Sequence, residues 1–138
     1  MSTMIRPELS IKNKYHIDKH RHYELKHFCL QYSQWKKRYQ DISETVRISK
    51  FNQTPVSGSP GDPTCTTALK KAYYSKRIDL IEQIARNVDE DLYLYILKAV
   101  TEDLSYTYLK NKLDIPCSRS TYYDRYRRFF WLLNETRK

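Results

Sequence analysis

Apolar residues in the N-terminal third recur at helical spacing. Six of them are separated alternately by three and four positions: Leu25, Phe28, Tyr32, Trp35, Tyr39 and Ile42. This spacing places them on one stripe of a helix, which we predict from Lys19 to Asp41. A stripe of this length suits one face of an intramolecular core, and it also suits the seam of a homodimer.

The periodicity is lost after Ser43. Residues 54–63 contain three prolines and both glycines of the chain, which break regular structure and predict a flexible loop. We therefore predict a basic amphipathic helix or arm over residues 1–50, a linker over 51–63 and a helical domain over 64–138.

Helical spacing returns after the linker. Asp62 can accept from free backbone N–H groups and Pro63 suits the first helical position, so a helix is predicted to start there. A further helix is predicted from Asp89 to Glu102, because the acidic residues at its start favour the helix dipole. Four residues are expected to form its inner face: Leu92, Ile96, Ala99 and Val100.

The end of the chain has the pattern of a helix-turn-helix. Ser105 can cap a short helix over 106–113, and Pro116 disfavours helical geometry in the residue before it, which predicts a break over 114–117. Ser118 can cap a longer helix reaching about Asn134. The sequence therefore predicts an all-α protein, in which a long N-terminal helix and a flexible loop precede a helical bundle that ends in a helix-turn-helix at residues 105–134.

The formal net charge of +9 is distributed unevenly. Residues 1–50 carry 11 basic and 5 acidic side chains, residues 51–104 carry 6 and 8, and residues 105–138 carry 8 and 3. Two basic ends around an acidic middle suit a protein that presents a positive surface to a polyanion, and double-stranded DNA is the expected partner.

The last predicted helix has a core side and a DNA side. Tyr122, Tyr126, Phe129 and Leu133 repeat at four, three and four positions and are expected to face the core. Since the N-terminal part of such a helix reaches base edges, these residues are expected near bases: Arg119, Ser120, Thr121 and Asp124. Phosphate contacts are expected from five others: Tyr123, Arg127, Arg128, Lys110 and Lys112.

Two residues of this helix need a separate explanation. A carboxylate on a DNA-facing surface repels phosphates, so Asp124 is expected to pair with Arg128 one turn further along. Trp131 projects from the assumed core, and we expect the 25–42 stripe or another subunit to cover it.

Other kinds of site have little support. Four histidines (His16, His20, His22 and His27) and Cys29 suggest zinc, but no second pair has metal-finger spacing, so we expect no metal and no cofactor. Cys117 precedes a helix, which can lower a thiol pKa, but we expect a packed turn residue rather than a nucleophile. Without a phosphate loop, nucleophile elbow or paired-carboxylate motif, we do not expect an enzyme. Three separated cysteines and no apolar run longer than residues 129–133 favour a cytoplasmic protein with no membrane partner.

Segments 61–64 (GDPT), 113–123 (LDIPCSRSTYY) and 125–127 (RYR) resemble the RinA/ArpU-type late-transcription regulators of phages. The C-terminal part of that family is itself similar to sigma-factor region 4. The likeness covers about residues 58–133, and Ser118, Arg119, Thr121 and Tyr123 match the start of the family's recognition helix. It implies DNA binding near promoters and activation of late phage genes in a bacterial host, with the host RNA polymerase as a further partner.

Two other functions remain open from the sequence. A small-terminase-like subunit for DNA packaging would share the basic helices but would form a ring of eight or more copies. A phage-encoded protein-interaction module that inhibits a host protein would use the basic surface against an acidic partner.

Overall fold

The computed structural model describes residues 13–52 and 63–137, and all the regular structure in them is helical. There are six helices: α1 (Lys19–Leu30), α2 (Tyr32–Asn52), α3 (Pro63–Val88), α4 (Tyr93–Glu102), α5 (Tyr106–Leu113) and α6 (Arg119–Thr136). The all-α prediction is confirmed. Of the described helices, none has both the length and the apolar character that crossing a membrane requires.

The described residues form two compact units. The larger unit consists of residues 13–31 and 81–137, and the two-helix unit consists of residues 32–52 and 63–80. This grouping cuts the chain at different points from the predicted arm, linker and domain, because α1 packs on α4 and α6. The predicted cap Asp62, residues 1–12 and residues 53–62 of the linker lie outside the described residues.

The long N-terminal helix is confirmed, with one interruption. Gln31 separates α1 from α2, and its backbone N–H bonds to the carbonyls of Phe28 and Cys29. Helix α2 ends at Asn52, past the predicted end at Asp41. Leu25, Phe28, Tyr32 and Trp35 of the predicted stripe are buried, and Tyr39 and Ile42 are half-buried.

The core of the larger unit is formed by α1, α4 and α6, which pack against one another. The predicted inner face of α4 is buried, as are Tyr122, Phe129 and Leu133 of α6. Tyr126 is half-buried, and Phe130, which the four-three-four pattern omits, is only 1% exposed. Two neighbouring phenylalanines are buried because the C-terminal half of α6 is covered on two sides.

Helix α1 provides the second cover of α6. His22, itself buried, packs edge-on against Phe130 with 4.8 Å between ring centroids. Arg21 donates from Nε to Asn134 Oδ1 at 2.7 Å, which joins the two helices at the polar margin of this contact. Trp131 lies 6.0 Å from the ring of Tyr15, so its aromatic partner precedes the 25–42 stripe that was expected to cover it.

Helix α4 starts later than predicted, at Tyr93 rather than Asp89. Asp89 Oδ1 accepts the backbone N–H groups of Asp91 and Leu92 at 3.0 and 3.2 Å, and so it holds a turn. Acidic residues favour a helix start through the dipole, but an Asp side chain that bonds its own following backbone favours a turn instead. Here Asp89 forms the turn, and the first helical turn of α4 contains no acidic residue.

The starts of α5 and α6 have the predicted caps. Ser105 accepts from the Tyr108 N–H, and Ser118 accepts from the Thr121 N–H. Asp114 ends α5 in the left-handed region (φ 53°), and Ile115 turns back into the core, where it is fully buried. Tyr106 donates its hydroxyl to the carbonyl of Cys117 at 2.6 Å, which ties the break to the start of α5.

Two tyrosines in this region offer a matched test of the break. Tyr106→Phe is expected to destabilise the protein by about 1 kcal/mol, because it leaves the carbonyl of the half-buried Cys117 without its donor. The hydroxyl of Tyr122 is buried with no hydrogen-bond partner among the described residues, so Tyr122→Phe is expected to be neutral or slightly stabilising. Urea unfolding followed by circular dichroism measures both. Equal losses would contradict the assigned hydrogen bond.

The two-helix unit consists of α2 and the first part of α3. Arg38 Nη1 lies 3.5 Å from Tyr74 Oη, and Lys71 Nζ lies 5.3 Å from the ring centroid of Tyr39. Trp35 and Ile78 are buried, whereas Leu69 and Tyr73 of α3 are 68% and 48% exposed.

Candidate nucleic-acid interface

The predicted contact residues differ in exposure. Arg119 and Ser120, at the start of α6, are exposed, as are the two lysines of α5. The remaining predicted contacts are half-buried: Thr121, Tyr123, Asp124, Arg127 and Arg128. The most accessible part of the predicted site is therefore the N-terminal end of α6 together with α5.

Arg119 is held against α5 by two contacts. Its guanidinium carbon lies 5.3 Å from the ring centroid of Tyr106, and its Nη2 lies 3.5 Å from Thr107 Oγ1. Stacking on an aromatic ring reduces the freedom of the long side chain but leaves its donors available. Thr107 was not predicted as part of the site. The sequence indicates Thr107 only through its place next to Tyr106, which is the first residue of α5.

The first turn of α6 suits an anion. It contains no acidic residue, and the backbone N–H groups at the start of a helix carry partial positive charge. Ser118 Oγ accepts the Thr121 N–H and donates to Thr121 Oγ1 at 3.0 Å. Thr121, predicted near bases, is therefore engaged in the cap. Ser120 stays exposed, 3.4 Å from Ser118 between hydroxyl oxygens.

Asp124 pairs with Arg125, so the expected pair with Arg128 is wrong. Arg125 Nη1 bonds to Asp124 Oδ2, while its Nε bonds to Asp89 Oδ2 at 3.0 Å. An i,i+4 pair on a helix contributes only about 0.2–0.5 kcal/mol. Arg125 gains two carboxylates instead of one, and these bonds raise its pKa. The arrangement neutralises Asp124 and links α6 to the turn before α4.

Arg127 and Arg128 make no ion pair with a described residue. The Nε of Arg127 is buried without a hydrogen-bond partner among the described residues. Tyr123 packs edge-on against Tyr122 and Tyr126, at 4.9 and 6.1 Å between centroids. Its ring is thereby part of an aromatic cluster.

The two lysines of α5 lie on different sides of the helix. Lys112 follows Lys110 by two positions, which is about 200° around a helix, so they leave different sides of α5. Lys110 lies in the last turn of α5, four positions before the break begins at Asp114. The pKa of the Cys117 thiol is raised, first by burial and then by Asp89, and Lys110 opposes this. A raised pKa is the opposite of what a nucleophilic thiol at a helix start needs.

One histidine of the histidine-rich segment, His22, is part of the core. His22 is buried among the rings of Tyr23, Tyr126 and Phe130. In residues 13–52 and 63–137 no three His, Cys, Asp or Glu side chains are grouped as a metal ion would need.

The chain was compared with family models, curated proteins and solved structures, and none of them matches it.

Proposed function

We propose that this chain binds a specific sequence of duplex DNA through a helix-turn-helix formed by α5 and α6, and that it regulates transcription. One observation carries the proposal. The exposed start of α6 offers Arg119, Ser120 and free backbone N–H groups, while Asp124, the nearest carboxylate in α6, is neutralised by Arg125. Such a surface suits phosphate and base edges together.

Roles within this interface follow from position. Arg119 is exposed and stacked on Tyr106, which suits a bidentate contact with guanine. Lys110 in the last turn of α5, and Arg127 and Arg128 further along α6, would neutralise phosphates. Action on late phage genes, with the host RNA polymerase as second partner, rests on the resemblance to RinA/ArpU-type regulators.

The test separates base contacts from phosphate contacts. Duplexes bound by the full chain are first selected from a random pool. Arg119→Ala is expected to relax base preference at one position, at a cost of about 1–3 kcal/mol on the selected duplex. Lys110→Ala is expected to weaken binding to selected and scrambled duplexes alike and to lower the salt slope by about one.

Lys19→Ala, which removes an exposed lysine from α1, controls for net charge. Identical effects of Arg119→Ala and Lys110→Ala would refute the assignment of roles. A complex of eight or more subunits would favour a terminase-like packaging protein over the regulator.

A further inference from the structure

The two-helix unit carries many unneutralised cations. Its described side chains, residues 32–48 and 65–80, include eight Lys or Arg and only three carboxylates. None of the eight cations forms an ion pair with a described residue. Like charges on one short pair of helices repel each other, and surfaces that have no ionic partner usually intersperse both signs.

One face of the unit carries cations without a carboxylate. Residues 63–78 of α3 contain four cations and no carboxylate. Lys70, Tyr73 and Arg77 are spaced by three and four positions and so share a face of the helix. Arg38 of α2 joins them from the neighbouring helix, because its Nη1 lies 3.5 Å from Tyr74 Oη. We define the basic face as these five residues: Arg38, Lys70, Tyr73, Tyr74 and Arg77.

The opposite side of the same unit is mixed in charge. Asp79 follows Arg77 by two positions, about 200° around α3, and lines a groove with Lys36 and Ser75. Next to it, Glu44 and Arg47 line a second groove. The basic face therefore lacks the carboxylates that accompany the cations on the opposite side, a difference that solubility alone does not require.

The cations of the basic face have positions that suit contacts with phosphates. The guanidinium carbon of Arg77 lies 3.5 Å from the ring centroid of Tyr73, and Arg77 Nη1 donates to the Tyr73 carbonyl at 3.2 Å. Lys70 and Arg77 stand two turns apart, about 10.5 Å along the axis, so the two cations can contact different phosphates of a duplex.

We propose that the basic face binds the phosphate backbone of duplex DNA, as a second contact surface in addition to that of α5 and α6. This inference rests on the proposed function, since it assumes that the chain meets duplex DNA. Lys70, Arg77 and Arg38 neutralise phosphates, and the exposed Tyr73 hydroxyl donates to a phosphate oxygen. Such contacts add affinity without sequence preference.

The test is the double variant Lys70→Gln/Arg77→Gln in the full chain, with Lys36→Gln/Arg47→Gln as the control. Both remove two positive charges from exposed or half-buried positions of the same unit, but only the first removes them from the basic face. The first is expected to weaken binding to selected and scrambled duplexes about ten- to a hundredfold at 0.1 M salt, and to lower the salt slope by about two. The control is expected to change affinity less than about threefold.

Equal losses in the two double variants would overturn the proposal in favour of a net-charge effect. Two further probes identify other partners: a single strand of about 20 nucleotides, which is long enough for one site, and a polyglutamate peptide. A loss confined to either probe would overturn the duplex proposal. Circular dichroism checks that each variant keeps its helices.

The same assay separates this inference from the proposed function. Relaxed base preference in Arg119→Ala, with wild-type affinity in Lys70→Gln/Arg77→Gln, refutes the basic face alone. Weakened duplex binding in the double variant, with no effect of Arg119→Ala, refutes the role of α6 alone.

Discussion

Replacing Phe130 by alanine is expected to destabilise the protein by about 3–5 kcal/mol. The side chain is 1% exposed, and its ring lies within 5.1 Å of three others, measured between centroids: His22, Tyr126 and Phe129. Removing it leaves a cavity between α1 and α6 that neighbouring rings cannot fill without leaving their rotamers. Urea unfolding followed by circular dichroism measures the loss.

Tyr108→Ala is the control, because it removes an aromatic ring that is 43% exposed. It is expected to change the free energy of unfolding by no more than about 0.5 kcal/mol. Should Phe130→Ala fail to fold, Phe130→Leu keeps most of the volume and is expected to cost less than about 1.5–2 kcal/mol. Equal effects at positions 130 and 108 would show that α1 does not cover α6 as described.

Replacing Arg119, Arg127 and Arg128 together by alanine is expected to weaken duplex binding on the order of a hundredfold at 0.1 M salt. Arg127 and Arg128 are the two proposed phosphate contacts among them. Each phosphate contact releases about 0.9 counterions, so the slope of log affinity against log salt should flatten by about two. Stability should change little, because none of the three forms an ion pair with a described residue.

The matched control is Lys19→Ala/Lys36→Ala/Arg47→Ala, which removes three exposed cations outside both proposed DNA surfaces. It is expected to retain the slope of the wild type within about one. If the two triple variants lost affinity equally, net charge rather than the α6 surface would account for binding.

Much of the fold was predictable because its signals are local. The apolar periodicity of α1, α4 and α6 and the caps at Ser105 and Ser118 depend on residues within one or two turns. The predicted start of α4 was wrong because an Asp such as Asp89 can begin either a helix or a turn. Here its carboxylate accepts the backbone N–H of Asp91, which stabilises the turn. The burial of Phe130 depends on α1, more than 100 residues away in sequence, which no periodicity within α6 encodes.

The candidate site was less predictable than the fold. Asp124 has basic residues at one, three and four positions further along α6, and sequence spacing favoured Arg128. The choice of Arg125 depends on Asp89, which comes from a distant segment. Likewise, the contact of Thr107 with Arg119 exists only once α5 and α6 are placed side by side. The basic face of the two-helix unit was hidden because its cations come from two helices.

The most direct measurement is a titration of duplex DNA into the full chain at increasing salt. Six Lys or Arg side chains are proposed to contact phosphates: Arg38, Lys70, Arg77, Lys110, Arg127 and Arg128. The slope should therefore be about −5.4, so affinity should fall about 1,800-fold between 50 and 200 mM salt. Such a slope, together with tighter binding of a selected duplex than of its scrambled counterpart, is what the account predicts. The absence of measurable duplex binding at 50 mM salt would contradict it.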